Sequence, residues 1–378
     1  MTTLSRLLVF LMFFQVAHYA AHGQSASSPM LPNGPLNVVT NRMYTGNETM
    51  PYVDVIDGAT NECRRVAIGG TPGPIEVNPA TNKIYVGFFG GRTVAVIDGA
   101  TNQTTKVNVG ASPYAIAVNP ATNKVYVAEY YGGRIVVIDG DTNLMTTLAT
   151  GLNPTGVAIN SITNKLYVTN WDSREVTIID GFTDSMTRVA IAGESEGHSI
   201  AVDTLTNKIY VASNYESRRV TVIDGATNQT ATIMTAGYVS DLAVNPVTNK
   251  IYVANAYIGK VTAIDGATLG TTTIAVGGFP TGIAVNPGTN RIYLADGELH
   301  GGVRVIDGAT GRVVRIKAGV ENAGIVVNSV TNKIYVYDPE IVTIIDGDTN
   351  KTTEIPLPLP PTLPRYSGDA QPGSCRPD

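Results

Sequence analysis

Between residues 36 and 356 the chain is written in short apolar runs, rich in Val, Ile and Tyr, separated by breaks of Gly, Pro, Asn, Asp and Thr. The stretch 113–149 is typical: 116–118, 124–128, 135–138 and 146–149 read as four strands, because β-branched and aromatic residues fit a pleated, half-buried surface while the intervening residues favour turns. Nothing of helical period and useful length appears after the N-terminal segment. The pattern then repeats. A central Asn recurs at Asn41, Asn82, Asn123, Asn164, Asn207, Asn249, Asn290 and Asn332, and an Asp-Gly pair recurs in step from Asp57 to Asp346. A period of about 40 residues with only strands inside it predicts a β-propeller, all-β and built of four-stranded antiparallel blades. Eight repeats predict eight blades. The first copy has a poor innermost strand (Leu36-Asn37-Val38-Val39), so seven blades plus an extra unit is the alternative.

Each turn in the repeat has its own chemistry. In Asn119-Pro120-Ala121-Thr122-Asn123 the proline presets φ, and the second Asn tolerates the left-handed conformation that closes a tight turn. In Asp139-Gly140 the carboxylate is placed to accept the N–H groups of its own turn. The Asp residues of these turns are therefore expected to be structural.

The fourth copy spells Tyr167-Val168-Thr169-Asn170, and Tyr85-Val86-Gly87, Tyr126-Val127-Ala128-Glu129 and Tyr252-Val253-Ala254-Asn255 vary it in register. The chain thus resembles the YVTN-repeat β-propellers over 36–356. That resemblance implies a secreted, periplasmic or cell-surface protein of bacterial or archaeal type, with seven blades the common number. It also brings an enzymatic alternative, because similar propellers include lactonases and lyases that hold a metal in the central channel through carboxylate, Asn or His side chains.

The ends point to export. Residues 1–23 combine Arg6, an apolar run over 7–14 and small residues before Gln24, the layout of a signal peptide; the run falls short of the ~20 apolar residues of a membrane span. The expected organisation is signal peptide 1–23, a lead 24–35, the propeller 36–356 and a Pro-rich tail 357–378, with no transmembrane anchor after cleavage. The net charge of −5 lacks the basic excess that nucleic-acid binding requires, so no nucleic-acid partner is expected. The only two cysteines, Cys63 in the first repeat and Cys375 in the tail, are neighbours in a closed ring, and a disulfide between them is expected in an oxidising compartment.

Strand order divides the loops between two faces. The near-invariant V-N-P-x-T-N-K and D-G-A-T-N loops share one, and the loops that diverge among copies share the other. Binding residues tend to sit on variable loops held by a rigid frame. The variable face offers Tyr130, Tyr131, Trp171, Asp172, Arg174, Tyr215, Glu216, Arg218, Tyr257, Glu298 and His300, aromatic surface beside charge. Glu129 precedes the tyrosine pair and is grouped with them. Around the channel mouth, Tyr114 and His198 fall in one ring and Asp241 in the next, with His198 and Asp241 on adjacent blades. Glu76 occupies a column that is Ala117, Ala158, Ala201, Ala243 and Ala284 elsewhere. No HExxH, C-x-x-C-H or Cys-His pairing is present, so no cofactor is expected. These observations predict an exported, non-enzymatic scaffold that binds a protein, peptide or glycan of the cell envelope through its variable face. The alternatives are a metal-assisted hydrolase or lyase at the channel mouth and a structural envelope component.

Overall fold

The structure, a computed structural model, describes residues 36–46, 50–191, 197–213, 218–297, 302–318, 324–338, 340–357 and 375–377. Eight sheets form eight blades, spanning 36–67, 72–108, 113–149, 154–190, 197–234, 239–275, 280–316 and 324–356. Each blade is a four-stranded antiparallel meander running from an innermost first strand to an outermost fourth. First strands of successive blades touch around the whole circle, blade 8 against blade 1 included. The eight-blade expectation holds, and the seven-blade alternative does not. Blade 1 is nonetheless the irregular one. Its first strand is only Leu36–Asn37, whereas the first strand of blade 3 is Pro113–Asn119. Among the described residues there is no α-helix, only a 3-10 turn at Tyr130–Gly132.

Burial explains the repeated letters. The repeat tyrosines Tyr44, Tyr85, Tyr167, Tyr210, Tyr252, Tyr293 and Tyr335 are fully buried between blades, with Ile and Val of neighbouring strands around them. Fully burying one large apolar side chain stabilises by roughly 1.5–3 kcal/mol, and the repetition multiplies this around the ring.

The central Asn explains the seams. Each has positive φ and closes the turn between first and second strands. Its Oδ1 also accepts an N–H from the Asn that ends the first strand of the preceding blade. Asn37 donates to Asn82, Asn78 to Asn123, Asn119 to Asn164, Asn160 to Asn207, Asn245 to Asn290, Asn286 to Asn332 and Asn328 to Asn41, all at 2.7–2.9 Å. The seam between blades 5 and 6 departs from this, because Asp203 stands where an Asn is needed. Basic side chains reinforce the same end of the barrel: Arg42, Lys83, Lys165, Lys208, Arg291 and Lys333 each donate to the carbonyl of the next blade's turn glycine.

The Asp-Gly turns behave as their chemistry requires. Asp98 Oδ1 accepts from the N–H groups of Ala100 and Thr101, both at 2.9 Å, and Asn102 takes the left-handed conformation. These N–H groups hold Asp98, Asp139, Asp180, Asp224, Asp265, Asp307 and Asp346 below the usual carboxylate range.

The circle closes at blades 8 and 1. Cys63, at the start of the fourth strand Cys63–Ala67, is bonded to Cys375 with Cα atoms 4.3 Å apart across 312 residues of sequence. Beyond Cys375, Arg376–Pro377 adds a parallel fifth strand to blade 1, pairing with Arg64 and Arg65. Both sulfurs lie in an apolar cluster drawn from the two blades, with Met43, Ile56, Tyr337, Ile344, Ile355 and Leu357.

Candidate functional site

Below the variable face, every blade from 3 to 8 buries a polar residue at or just after the end of its second strand, the fourth position of the Y-V-T-N pattern. Glu129, Asn170, Ser213, Asn255, Asp296 and Asp338 are all buried. They anchor loops. Glu129 accepts from Ala111 N at 2.8 Å and is ion-paired with Arg134. Asn170 bonds Thr177 Oγ1 at 2.9 Å, and Asn255 donates to Gly237 O at 3.0 Å. Asp296 accepts from Phe279 N at 2.8 Å and from Arg304 at 2.7 Å, and Asp338 accepts from the N–H groups of Glu340 and Ile341. Glu129 is thus no surface ligand group. Its carboxylate is sealed beneath the loop that the sequence suggested it would furnish.

At the channel mouth each first strand of blades 2 to 7 carries a register irregularity, and the extra residues there include Tyr114, Thr155, His198, Ser240 and Thr281. These are the ring residues that alignment of the copies brings together. A bulge re-aims side chains and stops the ladder, which is why a mouth forms at this height. Tyr114 stacks on Tyr130 with ring centroids 5.0 Å apart and planes 27° apart. Ser240 donates to Pro280 O at 2.8 Å, tying blade 6 to blade 7. The side chain of His198 lies outside the described residues. The partner of Asp241 is Ser199, the next residue, whose Oγ donates at 3.1 Å. Leu242 N and Ile283 N also donate to this carboxylate, which burial nevertheless raises to about 6. Glu76 is half-buried, accepts from Val77 N at 3.1 Å, and is raised to about 7 by burial.

These carboxylates do not fit a channel cation. Glu76 belongs to blade 2 and Asp241 to blade 6, on opposite sides of the ring, and both Asp241 oxygens already accept hydrogen bonds. Among the described residues the only three metal-ligating side chains within 4.8 Å of one another are Asp54, Cys63 and Cys375. Two of these are joined as the disulfide, and Asp54 is ion-paired with Arg65 at 3.0 Å.

On the variable face itself the sequence-selected residues separate. Tyr131 is 71 % exposed, perpendicular to Tyr130, which is buried and supports it. Trp171 is half-buried, its backbone N–H donating to Asn153 O, and the neighbouring Asp172 accepts from Asn153 Nδ2 at 2.5 Å. Arg174 and Arg218 are exposed. Tyr257 is 53 % exposed. Tyr215, Glu216, Glu298 and His300 lie outside the described residues.

Arg174 and Arg218 share an unusual conformation. Each immediately precedes the third strand of its blade, with φ of 53° and 48°. The same position is Gly133 in blade 3, Gly259 in blade 6 and Gly302 in blade 7, all with positive φ. The backbone duty there is shared: the carbonyls of Gly133, Arg174, Arg218 and Gly259 accept N–H groups from Thr150, Ile191, Thr235 and Val276. Glycine performs that duty without steric penalty, so neither arginine side chain is required by the turn.

Sequence reasoning missed Tyr238 and Phe279. Arg218 lies 4.8 Å over the Tyr238 ring, and Tyr257 is perpendicular to both Tyr238 and Phe279. Their signal was present, since both sit two positions before a mouth-ring residue (Ser240 and Thr281), but a single aromatic in a link between blades carries no pattern. On the opposite face, Val39, Ile162, Leu205, Val247 and Val330 occupy one equivalent turn position and are 67 to 75 % exposed. Comparison of turn chemistry alone overlooked that apolar rim.

No family model matches this chain, and no curated protein does. Among solved structures it is similar to a dihydro-heme d1 dehydrogenase, NirN, in complex with DHE, with a TM-score of 0.69 and 16 % identity over 84 % of this chain and 73 % of that one. A chain of the mitotic checkpoint complex gives 0.61 and 14 %, over 71 % and 85 % of the two chains. Hydrazine synthase from Kuenenia stuttgartiensis gives 0.55 and 17 %, over 75 % and 94 %. At such identities the likeness extends to the propeller fold alone.

Proposed function

We propose that this propeller is an exported binding scaffold whose variable face captures a ligand of the cell envelope. The observation that carries the reading is the pair Arg174 and Arg218. Each holds a left-handed backbone position where three other blades use glycine, and each projects an exposed cation with no carboxylate partner among the described residues. A cation kept at a backbone cost, with no carboxylate partner among the described residues and, for Arg218, only the Tyr238 ring beneath it, accords with a role towards something outside the chain. The exposed rings of Tyr131 and Tyr257 flank these cations and offer apolar surface of low conformational entropy. Export accords with the Cys63–Cys375 disulfide, a bond that persists in oxidising compartments. The buried anchors and seam bonds hold the face rigid, as a binding surface needs.

The test is affinity capture from an envelope extract of the source organism, using the chain from residue 24 onward. Beside it stands a variant with Arg174→Gly, Arg218→Gly, Tyr131→Ala and Tyr257→Gly, changes that each backbone position accepts. A ligand retained by the first and lost by the second is the expected result. Equal capture by both overturns the reading.

A further inference from the structure

The variable face is not uniform, and one sector gathers more ligand-binding chemistry than the rest. Arg218 comes from the loop between second and third strands of blade 5, and Tyr238 from the link into blade 6. Tyr257 comes from the equivalent loop of blade 6, and Phe279 from the link into blade 7. The guanidinium of Arg218 lies over the Tyr238 ring at 4.8 Å. Tyr238 and Tyr257 centroids are 6.0 Å apart with planes at 84°, and Tyr257 and Phe279 are 4.8 Å apart at 90°. Four residues far apart in sequence thus make one continuous surface across three blades.

Two features show that this surface is more than a lid on the mouth. Tyr257 has φ of 61°, an outlier for a bulky side chain, yet it leaves 53 % of its surface open instead of using the strain to bury its ring. Arg218 pays the same backbone penalty. A guanidinium held over a ring face can still turn its N–H edge outward, and that edge grips a carboxylate in bidentate fashion.

We infer that Arg218, Tyr238, Tyr257 and Phe279 form a subsite for the uronate residues of an acidic polysaccharide, a proposal that rests on the variable-face binding role set out above. The rings take the C–H faces of the pyranose, and Arg218 takes its carboxylate. Arg174, one blade away and likewise exposed, supplies a second cation on the same face for a longer acidic chain. The described carboxylates around this sector do not compete for the cations: Glu175 faces Arg188 at 3.4 Å, Asp296 is tied to Arg304 and Phe279 N, and Glu129 to Arg134. Strand addition by a peptide is not open at this sector. Peptides that add to a sheet need a free strand edge, and the described second and third strands of blades 5, 6 and 7 are paired on both sides.

The experiment is isothermal titration of the full chain with tetragalacturonate, with cellotetraose as the neutral control and an oligoglutamate peptide as the acidic non-sugar control. The expected result is salt-sensitive binding of the uronate alone. Arg218→Ala and Tyr257→Ala should each weaken it about tenfold or more, and Arg218→Lys most of the way, since lysine lacks the planar fork. Arg64→Ala, an exposed arginine on the outer edge of blade 1, should leave it unchanged. Circular dichroism and melting of the variants confirm that they fold. No uronate binding, equal binding of cellotetraose or oligoglutamate, or indifference to Arg218→Ala overturns the proposal. Face-dependent capture of a ligand from the extract together with no uronate binding leaves the scaffold role standing and sinks only this ligand class. Face-independent capture sinks both.

Discussion

Asn328 donates its side-chain N–H to Asn41 Oδ1 at 2.7 Å, joining the last blade to the first across 287 residues of sequence. The bond has the same geometry as the Asn–Asn bonds between consecutive blades, so the closing seam is built like the others at its inner end. At its outer end it is built differently, with a parallel strand and a disulfide. Each blade keeps its own four strands, and the tail acts as a latch.

The latch makes a direct prediction. The isolated chain should show no alkylatable thiol until it is reduced. Cys375→Ser should lower stability by about 4 kcal/mol in denaturant unfolding, since the bridge closes a very long loop. Hydrogen exchange should report the loss first in blades 1 and 8. Two reactive thiols in the unreduced exported protein would contradict the structure.

The seam between blades 5 and 6 makes a second. Asp203 and Asn249 present buried Oδ2 and Oδ1 atoms without hydrogen-bond partners, two acceptors at the seam where the other blades place a donor and an acceptor. Turning the Asn249 amide end for end sets its Nδ2 towards Asp203 and gives the Asp203 carboxylate a donor. Asn249→Asp then opposes two carboxylates in a buried seam and should lose about 3 kcal/mol or more. Asn290→Asp at the next seam faces the Asn245 amide, which still donates, and should lose clearly less. Equal losses measured by chemical denaturation would refute this account.

Glu76 gives a pH dependence. Burial raises its folded-state pKa from 4.5 to about 7, so between those values the native state binds more protons than the unfolded chain. Its contribution to stability is therefore lost as pH rises through this window. Glu76→Ala, which installs the residue found in the same column of blades 3 to 7, should match the wild type near pH 4.5 and exceed it by about 1–3 kcal/mol at pH 8. Parallel melting curves at all pH values would show that Glu76 is solvated in the channel.

The left-handed arginines give a trade-off. Arg174→Gly removes a backbone penalty and should raise stability slightly, by up to about 1 kcal/mol, whereas Arg218→Gly also loses the contact with the Tyr238 ring, about 0.5–1 kcal/mol, and should leave stability near that of the wild type; the two together should abolish ligand capture. Loss of stability in Arg174→Gly would mean that its side chain has a structural partner after all.

Much of this was legible in the sequence, because a repeat states each local requirement eight times. The strand pattern, the left-handed Asn, the Asp-Gly turn and the near-invariant loops are short-range devices, satisfied within a few residues of backbone. They determined the blade, its number and the division into a structural and a variable face. Even the cysteine pair was readable, since a ring must bring its ends together. Tertiary structure alone decided which variable residues are groups for a ligand. Glu129 and Tyr131 are two residues apart and look equally polar in sequence, yet one is sealed against Arg134 and the other stands in solvent. Asp241 met Ser199 and Ile283 from the two neighbouring blades, and Tyr257 met Tyr238 and Phe279 from two inter-blade links. The reason is physical: side-chain burial and partner choice on a propeller face are set by contacts between blades some 40 residues apart, and periodic spacing specifies the blades without specifying what their divergent loops meet.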